Sequence, residues 1–265
     1  MTDMAEKARK GIPITHFDII DCHCHMGNWF NFHVPEGGAE GMLSSMDALG
    51  IKKAFITAHA SIGPDYKYGN DMVLEALEKY PDRFLGYVTV NPNYGENEMA
   101  KELERCFGFP GMKGIKLHPS MHGCPMDYKT YHTAYKAAQE RKCPVLIHVW
   151  GNGDVSMIDQ LAGQYPEAIF IMGHAGAEIR AMELAVEVVN RHSNVYADLA
   201  LSRIYEGNVE WFVSQIGSKK LLFGSDLPFM DPRPSFGRVA MAEISEEEKE
   251  DIFGMNMKRL LYIQQ

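Results

Sequence analysis

Short runs of β-branched and apolar residues recur along the chain, and each ends in a polar or glycine-rich cluster. They are FDIIDCHCH (17–25), KAFITAHA (53–60), FLGYVTVNP (84–92), GIKLHP (114–119), PVLIHVW (144–150), AIFIMGHAG (168–176), NVYADLA (194–200) and LLFGSDLP (221–228). Their last polar residues fall near 25, 59, 91, 118, 148, 174, 198 and 226. That spacing is what one strand and one returning helix consume. The segments between them carry helical periodicity and stop signals, as in MLSSMDALG, VLEALEKYPD, YKAAQERK and IDQLAGQYPE. Strands alternating with helices predict a parallel, covered sheet, and eight such units in 265 residues predict a (β/α)8 TIM barrel. An open doubly wound sheet usually has fewer strands, and the first βα turn lacks the G-x-G-x-x-G phosphate fingerprint. No Pro/Ser/Gly-rich linker divides the chain, so residues 1–265 read as a single barrel domain with 1–16 as a polar lead-in. The stretch 26–41 (MGNWFNFHVPEGGAEG) reads as the longest plain loop, a lid or pocket wall. SEEEKED at 245–251 reads as a helix start with Ser245 as N-cap and Glu248 three residues on.

Composition narrows the class. The apolar share is 46%, the charged share 23%, and the net charge of −9 argues against a nucleic-acid partner, which calls for concentrated Lys and Arg. No apolar stretch approaches the length needed to span a bilayer, and MTDMAEKARKG has no apolar core of the signal-peptide kind. Five cysteines (22, 24, 106, 124 and 143) form an odd, unpatterned set, so they read as reduced thiols and the chain as cytoplasmic. Eleven histidines are the one compositional oddity.

The histidines are placed where barrel enzymes keep their chemistry, at strand C-termini. His23 and His25 share a strand face, and two imidazoles so placed can converge on one metal. The competing reading is a pair of partly exposed strand-end histidines. His148, His174 and Asp226 end the fifth, sixth and eighth runs at the same face. Alternation groups Leu146 with His148, Phe170 and Met172 with His174, and Leu222 and Gly224 with Asp226. Imidazoles and a carboxylate gathered at a barrel mouth are costly without a metal or hydrogen-bond partners. Histidines with an aspartate suit Zn, with Mn, Fe or Co as alternatives. Cys22 and Cys24 alternate with His23 and His25, so they are expected to face the helix layer as packed small residues.

The set Asp21-Cys-His23-Cys-His25, Gly114-Ile-Lys116-Leu-His118-Pro, Pro144-Val-Leu-Ile-His148, Gly173-His174-Ala-Gly and Phe223-Gly-Ser-Asp226-Leu-Pro, closed by Gly254-Met-Asn256-Met-Lys-Arg259-Leu-Leu, resembles the amidohydrolase superfamily. More narrowly it resembles the amidohydrolase-related (amidohydrolase 2) branch of metal-dependent hydrolases, lactonases and non-oxidative decarboxylases, from about residue 17 to 262. The resemblance implies one divalent metal, usually Zn, held by His23, His25, His148 and Asp226. It implies His174 as the general base or acid beside a metal-activated water, and Asp226 as the carboxylate that orients or deprotonates that water. In binuclear members of the wider superfamily the strand-four lysine is carboxylated and bridges two metals, with the residues matching His148 and His174 on the second. Here one metal is favoured, with Lys116 as a polar pocket residue. A homodimer is the family-level expectation.

Such a site predicts hydrolysis of a C–N or C–O bond in a small, cyclic or aromatic substrate. The runner-up is non-oxidative decarboxylation, which calls for cations that hold a carboxylate. Decarboxylases of this branch often carry Glu at the first ligand position, so His23 tilts the balance toward hydrolysis. A barrel that binds metal or ligand without turnover is the third reading. Candidate substrate contacts are Lys116, His118, Trp150, Arg203 and Arg233, with Arg180 as a further cation. Trp29, Phe30, Phe32, Trp150 and Tyr131 are candidates for an aromatic wall, and His59 and His122 lie near the same face.

Overall fold

The computed structural model describes residues 3–31, 33–200 and 203–262. Eight strands succeed one another around a single sheet in chain order: β1 Ile19–Met26, β2 Ile51–Ala58, β3 Phe84–Thr89, β4 Met112–Leu117, β5 Pro144–His148, β6 Ile169–Gly173, β7 Val195–Asp198 and β8 Leu221–Leu222. Every neighbouring pair from β1 to β8 is parallel. The ring closes between the first and last strands through Cys22 N–H to Phe223 O at 2.9 Å, Asp226 N–H to His23 O at 2.9 Å and His25 N–H to Leu227 O at 2.7 Å. The chain therefore forms a TIM barrel, as the eight repeats predict. Helices return between strands at 39–49, 66–79, 96–107, 132–141, 152–164, 179–191 and 208–216, with 232–241 after β8.

Alternation along the strands sorts the core into two layers. Inside the barrel, the lower half is filled by Ile20, Cys22, Phe55, Leu85, Tyr87, Leu146, Ile169, Ile171 and Leu222, with Met257 and Leu260 of the C-terminal helix in the same cluster. Between sheet and helices lie Ile19, Cys24, Ile56, Val88, Ile115, Ile147, Phe170 and Met172, among others. Two sequence expectations change here. Cys22 faces the barrel interior rather than the helices, because the register of β1 shifts between Asp21 and Cys24. A bulge of this kind inserts one residue and re-aims the side chains beyond it, so Cys22 and His23 both point inward while Cys24 joins the outer layer. Phe170 and Met172 are also in the outer layer, and the inward face of β6 is Ile169 and Ile171.

The lead-in also has structure of its own. Residues Asp3–Arg9 form a helix with Met4 and Ala5 buried, and Met4 N–H reaches Glu246 Oε2 at 3.2 Å. Ser245 and Glu248 form the reciprocal capping box that their spacing predicts. The closing motif acts below the barrel: Asn256 donates to the carbonyls of Ser218 and Leu221 at 2.8 and 2.7 Å. A Cβ at Gly254 would stand 2.0 Å from Asp18 O, so only glycine lets the two backbones meet.

Candidate active site

The upper half of the barrel interior is built from the same strands, one step further toward their C-termini. The bulge in β1 turns His23 and His25 inward, and β8 brings Asp226 up against them. His23 Nε2 lies 3.0 Å from His25 Nε2 and 3.3 Å from Asp226 Oδ1, and His25 Nε2 lies 3.2 Å from the same oxygen. Asp21 holds the two strands in this register. Its buried carboxylate accepts from Ser225 Oγ at 2.5 Å and from the Ser225 and His23 amides at 3.1 Å each. Burial pushes the Asp21 carboxyl up to about 6, against those hydrogen bonds. Gly224 permits the approach, since a Cβ there would meet Ala200 Cβ at 2.8 Å and His23 Cβ at 3.0 Å.

His174 arrives by a different route from simple alternation. It comes after β6 with φ 67°, and Ala175 continues at φ 48°. This left-handed turn swings the ring inward from a position that strand periodicity would have sent to the helix layer. Its backbone N–H donates to Asp198 Oδ1 at 2.9 Å, and its Nδ1 hydrogen-bonds the Ala200 carbonyl. Because a carbonyl only accepts, the proton resides on Nδ1 and leaves Nε2 as the acceptor. His174 Nδ1 is 3.9 Å from Asp226 Oδ2, and Nε2 is 3.1 Å from His148 Nδ1. His23, His174 and Asp226 each offer a ligand atom within 4.8 Å of the others. His148 joins the group through His174 and stacks between His118, at 4.0 Å between ring centroids, and Trp150, at 5.9 Å.

Asp198, at the end of β7, is a site residue that the sequence patterns do not single out. It is fully buried. Its Oδ2 accepts from His23 Nδ1 at 2.9 Å while Oδ1 accepts the His174 and Ala200 amides. A carboxylate on the far nitrogen of a histidine fixes the tautomer and aims Nε2 at a cation. The only trace of this in the sequence is its place as the polar residue ending the seventh run.

The electrostatics suit neutral imidazoles. Burial lowers the pKa of His25, His118, His148 and His174 below the ordinary histidine value. Burial alone would raise Asp226, but His23, His174 and the hydrogen bond from His25 outweigh it and hold the carboxyl well below its usual range. Lys116 is wholly buried, its amine pushed down to about 8 by desolvation. Its Nζ lies 2.9 Å from His23 Nε2, so a cationic group already stands on that lone pair.

These distances allow a test of whether a metal fits. Donor atoms about 2.1 Å from a tetrahedral ion stand about 3.4 Å from one another. The three edges formed by His23 Nε2, His25 Nε2 and Asp226 Oδ1 are 3.0, 3.2 and 3.3 Å. The donor set therefore fits a divalent ion, with Asp198 behind His23 in the supporting role.

Around this centre the mouth has two aromatic sides. On one, His59 is buried, hydrogen-bonds Gly27 O through Nδ1 at 2.9 Å, stacks on His25 at 5.2 Å, and meets Trp29 and Phe229. On the other are His118, His148 and a half-exposed Trp150, over which Arg203 places its guanidinium at 5.3 Å. Phe30 is 72% exposed and Tyr131 wholly buried. Tyr131 hydrogen-bonds His122 Nδ1 at 2.6 Å, so it supports the loops instead of facing the mouth. Phe32 lies outside the described residues. Arg180 and Arg203 line one cavity. Arg233 pairs with the neighbouring Asp231, Nε to Oδ1 at 2.9 Å, and lines two other cavities; none of the metal-fitting residues lines any of the three.

The chain matches the family described as amidohydrolase (Amidohydro_2) over residues 20–263. No curated protein matches it. Among solved structures it resembles 2,6-dihydroxybenzoate decarboxylase from Rhizobium, at 16% identity and a TM-score of 0.74 over 94% of this chain and 99% of that one. It also resembles 5-carboxyvanillate decarboxylase from Novosphingobium aromaticivorans, complexed with manganese and 4-hydroxy-3-methoxy-5-nitrobenzoic acid, at 18% identity and a TM-score of 0.70 over 93% and 96%. A TIM-barrel protein from Bordetella bronchiseptica matches at 18% identity and a TM-score of 0.76 over 94% and 99%. At these identities the likeness is one of fold. The match across nearly the whole barrel establishes the lineage: the chain is an enzyme of the amidohydrolase (Amidohydro_2) family.

Proposed function

We propose that the protein is a metal-dependent hydrolase that cleaves a C–N or C–O bond of a small planar substrate held between the two aromatic sides of the mouth. The observation that carries this reading is the triangle of His23 Nε2, His25 Nε2 and Asp226 Oδ1, with edges of 3.0 to 3.3 Å, and His174 beside it. His23, His25 and Asp226 would hold one divalent ion, Zn in the first instance, with His148 as the fourth ligand. When bound, the ion supplies a water acidified to near neutral pH and a positive charge for the developing oxyanion.

The rest is done by the chain. Asp198 keeps the proton of His23 on Nδ1, so Nε2 stays a donor to the ion. His174 has its Nδ1 proton committed to Ala200 O, and burial lowers its pKa, which leaves Nε2 unprotonated at neutral pH with its lone pair free to accept. That nitrogen takes a proton from the nucleophile and returns it to the leaving group. Asp226, held ionised, orients the nucleophile. Lys116 stands close enough to His23 to place a positive charge beside a substrate oxygen, while Trp150 and His118 pack against the substrate plane. The five cysteines are free thiols, which supports a reducing compartment such as the cytoplasm. Among the described residues no helix is long and apolar enough to cross a membrane.

A second reading, decarboxylation of a small aromatic acid, is favoured by a specific feature: a buried amine at the centre and two arginines at the rim give a carboxylate its counter-charges. The similar Rhizobium and Novosphingobium structures are named decarboxylases. A panel of lactones, amides and aromatic carboxylates, assayed for acid production and for carbon dioxide release, separates the two. Hydrolysis predicts turnover of a lactone or amide without gas; carbon dioxide release from an aromatic acid alone overturns it in favour of decarboxylation.

A further inference from the structure

The N-terminal face of the barrel, opposite the mouth, carries a cavity of about 240 Å³ that shares no residue with the metal-fitting cluster. It lies between the starts of β1 and β2 and the C-terminal helix Asn256–Tyr262. Its wall is apolar, made by Ile20, Leu261 and Tyr262, and its charged groups are Lys52, Lys53, Lys258 and Asp18. Neighbouring residues on a strand ordinarily face opposite ways, yet Lys52 and Lys53 both line this space. Their register gives the reason. Ile19 pairs with Ile51 but Ile20 pairs with Lys53, so Lys52 is an extra residue on β2, and such a bulge re-aims a side chain.

Three ammoniums thus meet one carboxylate. Lys258 takes it, Nζ to Asp18 Oδ2 at 2.8 Å. That hydrogen bond, with smaller pulls from Lys52 and Lys53, holds the Asp18 carboxyl below its ordinary value. Lys52 and Lys53 form no ion pair among the described residues. Lys53 is half-buried, so it has given up part of its water without gaining a counter-ion. Surplus positive charge beside an apolar wall is complementary to an anion with an apolar body. The space is too small for a helix, which is about 10 Å across with its side chains, and below the roughly 300 Å³ of a drug-sized pocket.

We propose that this cavity binds a small carboxylate with an apolar tail, its head between Lys52 and Lys53 and its tail against Ile20, Leu261 and the Tyr262 ring. Such a ligand touches the strand starts and the C-terminal helix at once. Occupancy therefore ties that helix to the barrel floor and stabilises the fold by mass action. The site is independent of the metal centre and of the reaction run there.

The test is calorimetric titration of the purified protein with octanoate, hexanoate and octylammonium, repeated on K53Q, Y262A and K101Q. Tyr262 is 63% exposed, so its loss spares the core. Lys101 pairs with Glu98 on the outer helix 96–107 and removes the same charge far from the cavity. Octanoate should bind about ten-fold more tightly than hexanoate, from two further buried methylenes, and at least as far above octylammonium. K53Q should weaken octanoate about five-fold, as a partly exposed ion pair allows. Y262A should narrow the gap between octanoate and hexanoate, and K101Q should change neither. Octanoate should also raise the melting temperature of the native protein and of K101Q, and raise that of K53Q less. The proposal is overturned if octanoate does not bind, or if octylammonium binds as tightly, which would leave only an apolar crevice. It is equally overturned if neither K53Q nor Y262A weakens octanoate, which would put the ligand at the metal centre, or if K101Q weakens it as much as K53Q.

Discussion

The lower and upper halves of the barrel interior are made by the same eight strands and share almost nothing else. Below, Phe55, Leu146, Ile171 and Leu222 are buried and apolar, and the water they exclude is their contribution. Above, two residues further along several of those strands, the interior holds Thr57, His148 and Lys116, with His23, Asp198 and Asp226 alongside. Burying such groups costs free energy unless every donor and acceptor is met, and most are met by each other. Thr57 and Thr89 pair at 2.7 Å, while Asp198 serves both His23 and His174. His25 Nδ1 is buried without a partner among the described residues. One half is built for stability and the other for a ligand, so changes in the two halves should fail in different assays.

The sharpest break comes from the upper half. Asp226→Ala removes a donor and the orienting carboxylate together, and both metal content and turnover should be lost. His174→Ala should retain the metal and lower kcat by about 10²–10⁴-fold; His148→Ala should lose metal instead, and metal analysis of the pair checks which histidine is the ligand. The lower half should behave in the opposite way. Leu146→Ala leaves a cavity in a close-packed layer and should cost about 2–5 kcal/mol in denaturant unfolding, while the metal per folded chain stays constant.

Titration offers an intermediate case. His122 ends the short helix Pro119–His122 after β4 and is buried, which pushes its pKa down to about 4 from the ordinary 6.5. Between those values the unfolded chain binds the proton and the folded chain does not, so stability falls as pH drops from 6.5 toward 4 and is complete above 6.5. The contribution is about 3 kcal/mol. His122→Gln should flatten that slope in urea melts at a series of pH values; an unchanged slope contradicts the assignment. The smallest effect is expected behind the donors. Asp198→Asn keeps the shape but weakens the hold on His23 Nδ1 and should lower metal affinity about 10–100-fold, measured by competition with a chelator.

The eight-strand repeat and the pairing of His23 with His25 are legible because they depend on periods of two and about thirty residues, which any strand-helix alternation prints in the chain. The features that escape such reading depend on local departures from those periods. The bulge at Asp21–Cys24 puts Cys22 inside with His23, and no composition signal marks it. The left-handed turn at His174 delivers the ring to the interior although its strand neighbours Phe170 and Met172 face the helices; alternation names the residue by a route the backbone does not take. Asp198 is marked only as the polar residue ending the seventh run, because a lone aspartate at a strand end has no spacing partner in sequence. Arg233 looks equivalent to Arg203 in the sequence, but Asp231 holds Arg233 while Arg203 lies over Trp150.

The upper half of the barrel reads as a cradle for one metal ion, and elemental analysis of the purified protein, repeated on His23→Ala, decides it. About one divalent ion per chain is expected in the native protein, lost in the variant together with activity. Two ions per chain would rule out a single-metal centre, and a metal-free protein whose turnover is indifferent to chelators would rule out a metal altogether.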